Sequence, residues 1–349
     1  MYFRKVLLVH TLLFAGLVAC FGSFTSHAAI PLENRNLETS GDNSLRSPNA
    51  VVQCEVVECD EVTANSMPQT TETINIGDFI DQFWELEPET KRGTFTIRTF
   101  QPSFILPAHY TTAINRQPNS PSRGDAEMQE NYGNVEIKLQ ISLRTKLWEN
   151  LLLPNADLWA AYSQTSLWQA YNNQDSRPFR TTDHHPEIFY TVPVSERWDV
   201  LPGTARLRML TAGFAHHSNG QTKPLSRSWN YTYVGALAQW RRFMIESKLK
   251  QRINETNDED DNPDLIRYRG NVETTVTWLP GRSTASIKFI TRDISIARGS
   301  VQFDVTYPLT NQADGLRAYL QIFSGYGETL IDYNHRQTRV GLGFLLLNF

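Results

Sequence analysis

Between residues 134 and 148 apolar and polar side chains trade places at every step. Val135, Ile137, Leu139, Ile141 and Leu143 fall on one side, and Glu136, Lys138, Gln140, Ser142 and Arg144 on the other. Side chains of an extended chain point alternately to opposite faces, so this is a strand with one apolar and one polar face. The same alternation returns at residues 283–292, where Ile287 and Phe289 oppose Ser286 and Lys288. It returns again at 301–307, where Val301, Phe303, Val305 and Tyr307 oppose Gln302, Asp304 and Thr306. From about Gly93 onward, turn signals divide the chain into about twelve such segments: 93–107, 134–148, 155–170, 186–197, 204–218, 228–239, 241–253, 265–279, 283–292, 299–308, 315–325 and 337–349. In the last of these, VGLGFLLLNF, both faces are apolar and the pattern does not set the register.

The chain before the strands has another texture. Arg4 and Lys5 precede an almost unbroken apolar run over residues 6–18, and a small-residue site follows at Ser26-His27-Ala28, the pattern of a secretory signal peptide. Leu17-Val18-Ala19-Cys20 also fits a lipoprotein processing box with Cys20 as the acylated residue. Residues 31–70 are rich in Asn, Ser, Thr, Glu and Asp without a sustained period, and residues 77–91 spell a short amphipathic helix ended by Pro88. The expected division is a signal peptide at 1–29, a low-order extension at 30–91 and a β-barrel at 92–349. No other segment has the ~20 apolar residues of a membrane helix. An even number of long alternating strands in an exported chain predicts a twelve-stranded antiparallel transmembrane β-barrel. A soluble β-sandwich also alternates, but three features favour the barrel. The segments exceed ordinary strand length. Trp148, Trp159, Trp168, Trp240, Trp278 and Tyr307 gather near segment ends, as interfacial girdles do. The last segment closes on Phe349, a terminal aromatic typical of such barrels.

Composition narrows the partners. A net charge of −4 over 349 residues leaves no basic footprint for nucleic acid. Outside the signal region Cys54 and Cys59 stand five apart, placed for a local disulfide or as two free thiols, and too few for a metal site.

Candidate chemistry concentrates in residues 212–230, AGFAHHSNGQTKPLSRSWN. His216 and Ser218, two apart on a strand, share a face with Leu210, Ala212 and Phe214, and Asn230 returns beside them on the following strand. In a membrane barrel the apolar face points outward, so three polar groups would face lipid near a rim, an expensive place for them. Base, nucleophile and orienting amide fit a Ser/His/Asn triad: His216 takes the Ser218 proton, Asn230 accepts from the other ring nitrogen, and the Gly220 amide is available to an oxyanion. The same residues also fit a polar hairpin loop, and Asn230-Tyr231-Thr232 fits a glycosylation acceptor; pattern alone leaves both readings open. Gln164 sits among Leu158, Ala160, Tyr162 and Trp168, either as a hydrogen-bonded contact to another chain or as a tolerated polar residue near an interface. The acidic run at 255–264, ETNDEDDNPD, would attract calcium or form a solvated turn.

Several of these residues recur together in one family. The chain resembles outer-membrane phospholipase A in HxSNG (His216 to Gly220), SRSWN (Ser226 to Asn230), DDNPD (Asp260 to Asp264) and SGYGETLIDYNHRQTRVG (Ser324 to Gly341), over roughly residues 93–349. The resemblance implies a twelve-stranded outer-membrane barrel with its triad facing the outer leaflet. Its activity would be a calcium-dependent phospholipase A1/A2 and lysophospholipase, with membrane phospholipids as substrates and homodimerisation as the switch. By position, His216, Ser218 and Asn230 become the triad, with the Gly220 amide and a calcium-bound water at the oxyanion. The calcium ligands would be the Gln221 carbonyl, the Ser226 hydroxyl and the Ser176 carbonyl of a second copy, and Gln164 would lie in the dimer contact. The chain departs from the family at His217, where Asp is common, and at Gln221, where Arg is common. Lys223 stands where an acidic residue can serve, with Asp261, a secondary calcium site. The competing readings are a passive barrel, as pore or structural protein, and a soluble secreted esterase.

Overall fold

The computed structural model describes residues 75–195, 201–292, 298–310 and 315–347. Twelve strands run β1 (Ser103–Thr111), β2 (Val135–Trp148), β3 (Asp157–Trp168), β4 (Phe179–Pro193), β5 (Ala205–Ser218) and β6 (Ser228–Trp240), continuing through β7 (Phe243–Ile253), β8 (Val272–Trp278), β9 (Thr284–Thr291), β10 (Ser300–Pro308), β11 (Arg317–Gly325) and β12 (Gln337–Leu347). Each is antiparallel to the next, and β12 pairs back onto β1, so the sheet closes. Closure leaves no unpaired edge, the condition for strands to cross hydrocarbon. Turns at one end are short, as from Trp240 to Phe243, whereas at the other end connections such as Ile253 to Val272 are long. Short periplasmic turns and long outer loops are the outer-membrane arrangement.

The alternation falls as the sequence requires. On β2 the polar set Glu136, Lys138, Arg144 and Lys146 is buried in the lumen, while Val135 and Ile141 are exposed on the outer wall. The girdle expectation holds for Trp148, Trp278 and Tyr307, which are exposed near strand ends, but not for Trp159. That ring has lumen parity, is fully buried, and lies under the Arg144 guanidinium.

Three expected boundaries move. β4 begins at Phe179, because its first half pairs with β3 through polar residues that carry no apolar stripe. Part of the segment expected at 265–279 is instead the short helix Leu265–Arg269, closed at Gly270 with φ 85°. The first segment splits into a stub at Ile97–Thr99 and β1 around Pro102, and β1 runs on to Thr111. Residues 196–197 of the fourth expected segment, Phe349, the leader with Cys20, residues 31–70, Cys54 and Cys59 lie outside the described residues.

The stretch expected as a helix at 77–91 forms α1 (Ile76–Trp84). Asn75 caps it by accepting from the Gly77 amide, and Glu85, left-handed at φ 55°, ends it three residues before Pro88. The helix is not part of a free extension: residues 75–91 plug the short-turn end of the lumen. Ile80, Trp84 and Leu86 are buried there, worth about 2 kcal/mol each in area terms. Arg144 sits 4.3 Å from the Phe83 ring centroid and 4.4 Å from that of Trp84. Glu85, fully buried, is held by Arg98 at 2.6 Å and Lys146 at 2.7 Å, and Asp81 by Arg208 at 2.5 Å.

The loop after β11 closes the other end. Its Asp332 takes two bonds from Arg180 (2.7 and 3.0 Å), and Arg180 also reaches Glu136, which receives Arg339 at 2.6 Å. Burial pushes the Asp332 carboxyl up, but Arg180 and Arg339 overcome it and hold it at about 2. Between plug and cap lies a cavity of about 1520 Å³, lined among others by Glu246, Lys248, Lys250, Glu273, Asp304 and Gln321.

Candidate active site

The site is built on the outer wall where β4 to β7 meet the long loops. In β5 Leu210, Ala212 and Phe214 are exposed on the outer wall, and the same parity continues through His216 and Ser218. His216 stands opposite Asn230 on β6, and Asn230 opposite Ile253 on β7, so the three form one row across the sheet. His216 Nδ1 and Asn230 Oδ1 are 2.8 Å apart, which makes Nδ1 the protonated ring nitrogen if the amide oxygen faces it. Ser218 lies on the same face two residues on, and its hydroxyl has no hydrogen-bond partner among the described residues. A nucleophile that tightens onto its base only when substrate arrives is common in unliganded sites.

Gly220 turns the chain out of β5 with φ +61°, in the left-handed region that suits glycine. Asn219 staples the loop beyond it. Its amide donates to the Leu225 carbonyl (2.8 Å), and its Oδ1 accepts from the Arg227 amide (2.9 Å) and, more weakly, from that of Gln221 (3.4 Å). The Gln221 side chain donates to the Arg180 carbonyl at 3.0 Å, leaving its own Oε1 buried without a partner. The Ser226 hydroxyl donates to Asp261 Oδ2, while Asp261 Oδ1 is held by Arg123 at 2.6 Å. Both oxygens of Asp261 are therefore engaged.

Ser176 lies exposed in the β3–β4 loop at φ 58°, and no hydrogen bond joins it to Gln221 or Ser226 within the chain. Gln164 faces outward and shares its polar groups with Tyr162 (3.0 Å) and Ser166 (3.4 Å). In the acidic run, Arg252 takes Asp260 at 2.7 Å and Tyr333 donates to Asp264 at 2.5 Å. Among the described residues no cluster of three or more acidic, His or Cys side chains could hold a metal.

Two neighbours escape sequence reading. His184 on β4 is paired opposite Ser218, and its Nδ1 is 2.7 Å from the Tyr162 hydroxyl. A Cβ placed on Gly220 would lie 3.6 Å from its ring, so His184 walls the nucleophile on the β4 side. Glu255 follows Ile253 by two residues, extending the row's parity past the strand end, and accepts the Asn230 amide at 3.0 Å. Register with Asn230 was the signal for Glu255, but it exists only once β6 and β7 are paired. Burial pushes the Glu255 carboxyl above its ordinary range and Asp260 adds to this, while Arg252 and the Asn230 bond oppose it.

Fold and site together define an outer-membrane β-barrel with a His/Ser/Asn cluster on its lipid-facing wall. The chain belongs to the phospholipase A1 family, whose model matches residues 80–346. The putative phospholipase A1 of Neisseria meningitidis serogroup B is 36% identical over 279 residues, 78% of this chain and 71% of that protein. The phospholipase A1 of Escherichia coli K12 is 34% identical over 252 residues, 72% of this chain and 82% of that one. Among solved structures, outer membrane phospholipase A from Escherichia coli aligns with a TM-score of 0.66 at 31% identity, covering 76% of this chain and 97% of its own. The Salmonella typhi outer membrane phospholipase, a dimer with bound calcium, aligns with a TM-score of 0.65 at 34% identity, covering 74% and 94%.

Proposed function

We propose that this protein is a calcium-dependent phospholipase of the outer membrane that hydrolyses acyl esters through a Ser218 acyl-enzyme and works as a homodimer. The observation that carries the reading is the 2.8 Å contact between His216 Nδ1 and Asn230 on the lipid-facing wall, with the Ser218 hydroxyl on the same face. A polar cluster there costs free energy in a bilayer and is retained where it acts.

With Nδ1–H held by Asn230, the free Nε2 is the base. His216 accepts the Ser218 proton as Oγ attacks the ester carbonyl carbon, then returns it to the departing glycerol oxygen as the C–O bond breaks. A water, deprotonated by the same nitrogen, attacks the acyl-serine and releases the fatty acid, restoring the Ser218 hydroxyl. The Gly220 amide, two residues past Ser218, would donate to the developing oxyanion, and Asn230 would hold the imidazolium without a formal charge of its own.

The donor set suits calcium. The Gln221 carbonyl and the Ser226 hydroxyl are hard oxygens, and Ser226 spends its proton on Asp261, which leaves its lone pairs for a cation. Calcium takes about six to eight oxygens. One chain supplies two, so the Ser176 carbonyl of a second copy and water would complete the shell. Bound there, calcium would polarise the ester carbonyl or a water facing it. Asp261 is an unpromising second site, because a cation would have to displace Arg123. Gln164, on the outward face of β3, is the residue this reading assigns to the dimer contact. The competing pore reading has the lumen capped at both ends against it.

The test is fatty-acid release from detergent-dispersed phospholipid, with calcium or with chelator. Release that stops on chelation, together with dimer cross-links that form with calcium and fail to form when chelator is added before the cross-linker, is the expected outcome. Equal release in both arms would remove calcium from the account, and ion conductance across a planar bilayer would favour the pore.

A further inference from the structure

An asparagine that orients a catalytic histidine has a weakness, since its amide can turn and present NH2 where the oxygen is needed. In this chain one end of that amide is fixed. Asn230 Nδ2 donates to Glu255 Oε1 at 3.0 Å, and an ionised carboxylate can only accept, so it selects the orientation that points Oδ1 at His216. Glu255 is not a loose surface acid. It sits just past the end of β7, its carboxylate is only 15% exposed, and its second oxygen is buried without a hydrogen bond, 3.7 Å from Arg252 Nη2. Arg252 is itself drawn to Asp260 at 2.7 Å, so it does not neutralise Glu255 at contact distance.

From this geometry we infer that Glu255 is a positioning residue for the proposed hydrolysis, completing a chain Ser218–His216–Asn230–Glu255 in which the carboxylate locks the Asn230 amide and lends its negative charge to the imidazolium. The inference rests on the triad reading given above. It answers what that reading leaves open: a neutral orienting amide supplies direction without charge, and here the charge stands one residue further out. The chain works electrostatically, with no proton passing along it. His216 alone gains and loses the Ser218 proton, while Asn230 and Glu255 keep their covalent states. Among the described residues the charged groups that face Glu255 are Arg252 at the end of β7, with Asp260 and Asp261 in its own loop, Asp261 being paired to Arg123; His216 lies across Asn230. Of these, His216 is the group whose charge changes during the reaction.

Two variants of the full-length protein in detergent with calcium, Glu255→Gln and Glu255→Ala, test the inference against wild type and Ser218→Ala. Gln keeps the size and lets its oxygen accept from Asn230 but removes the charge; Ala removes both. The expected result is a fall in kcat on the order of tenfold for Ala and less for Gln, with KM unchanged. The acid limb of the kcat/KM profile should move to lower pH in both, because losing a nearby anion makes the imidazolium easier to deprotonate. Retention of heat-resistant electrophoretic mobility reports that the barrel is intact. Wild-type kcat and an unmoved acid limb in both variants would overturn the inference while Ser218→Ala stays inactive. A rise in KM alone would also overturn it, by assigning Glu255 to the rim of the lipid groove. If Ser218→Ala is itself active, the triad reading falls first and takes this inference with it.

Discussion

His216 and His217 are neighbours in sequence and belong to different worlds. Period two sends His216 to the outer wall, where Nδ1 meets Asn230 and Ser218 shares its face two residues on. His217 points into the lumen, with its ring centroid 4.8 Å from that of His185 and Nε2 3.5 Å from Asp183, and Trp229 Nε1 and Arg269 Nη1 approach its Nδ1. The contrast extends to the two faces as wholes. Lumen charges such as Arg180, Glu136, Arg339 and Asp332 bind one another, and groups so paired are spent on structure. The outer cluster is small and underused, with a hydroxyl that bonds to nothing among the described residues. The two histidines thus differ by the face that period two gives them and by the partners waiting there.

The comparison breaks most sharply at the two histidines. His216→Ala should reduce kcat by more than about a thousandfold while leaving the barrel's melting temperature unchanged. His217→Ala should do the reverse, keeping most activity and lowering the melting temperature; steady-state ester hydrolysis beside a thermal melt measures both. Equal losses of activity would mean that the two faces are coupled. Next in size, Asp332→Asn leaves Arg180 and Arg339 short of an anion in a fully buried network, which costs about 3 kcal/mol or more, read from the denaturant midpoint. Asn230→Ala should be milder in stability and lower kcat roughly tenfold to a hundredfold, since His216 loses its orienter but keeps its place. The smallest effect is one of acid. Asp332 is depressed to about 2 from its ordinary 3.8, so the stability it contributes is complete above about pH 4 and is lost as pH falls toward 2. Melts taken between pH 5 and pH 2 should show that loss in wild type and a flatter profile in Asp332→Asn.

Much of this was legible in the chain. Alternation on β2 fixes which residues face lipid, and a polar trio on the lipid face at His216, Ser218 and Asn230 stands out against Leu210, Phe214 and Val234. What stayed hidden depends on partners distant in sequence. Trp159 reads as a girdle residue until the α1 plug gives Arg144 a cage to sit in. The first half of β4 carries no stripe because its outward Thr182 and His184 bond to Ser166 and Tyr162 of β3, while its Arg180 is held by Glu136 and Asp332. Glu255 reads as one acid among many in ETNDEDDNPD until β7 pairs with β6 and carries it to Asn230. The helix Leu265–Arg269 hides because a stretch this short shows too little period to separate it from the strand that follows.

The central claim is that Ser218 on the lipid-facing wall is a nucleophile activated by His216. It is tested most directly by incubating the detergent-solubilised protein with a sulfonyl fluoride and mapping the adduct by mass spectrometry. A single adduct on Ser218, lost in His216→Ala and retained in His217→Ala, is the expected result. An adduct on another residue, or one on Ser218 that forms as readily without His216, would contradict it.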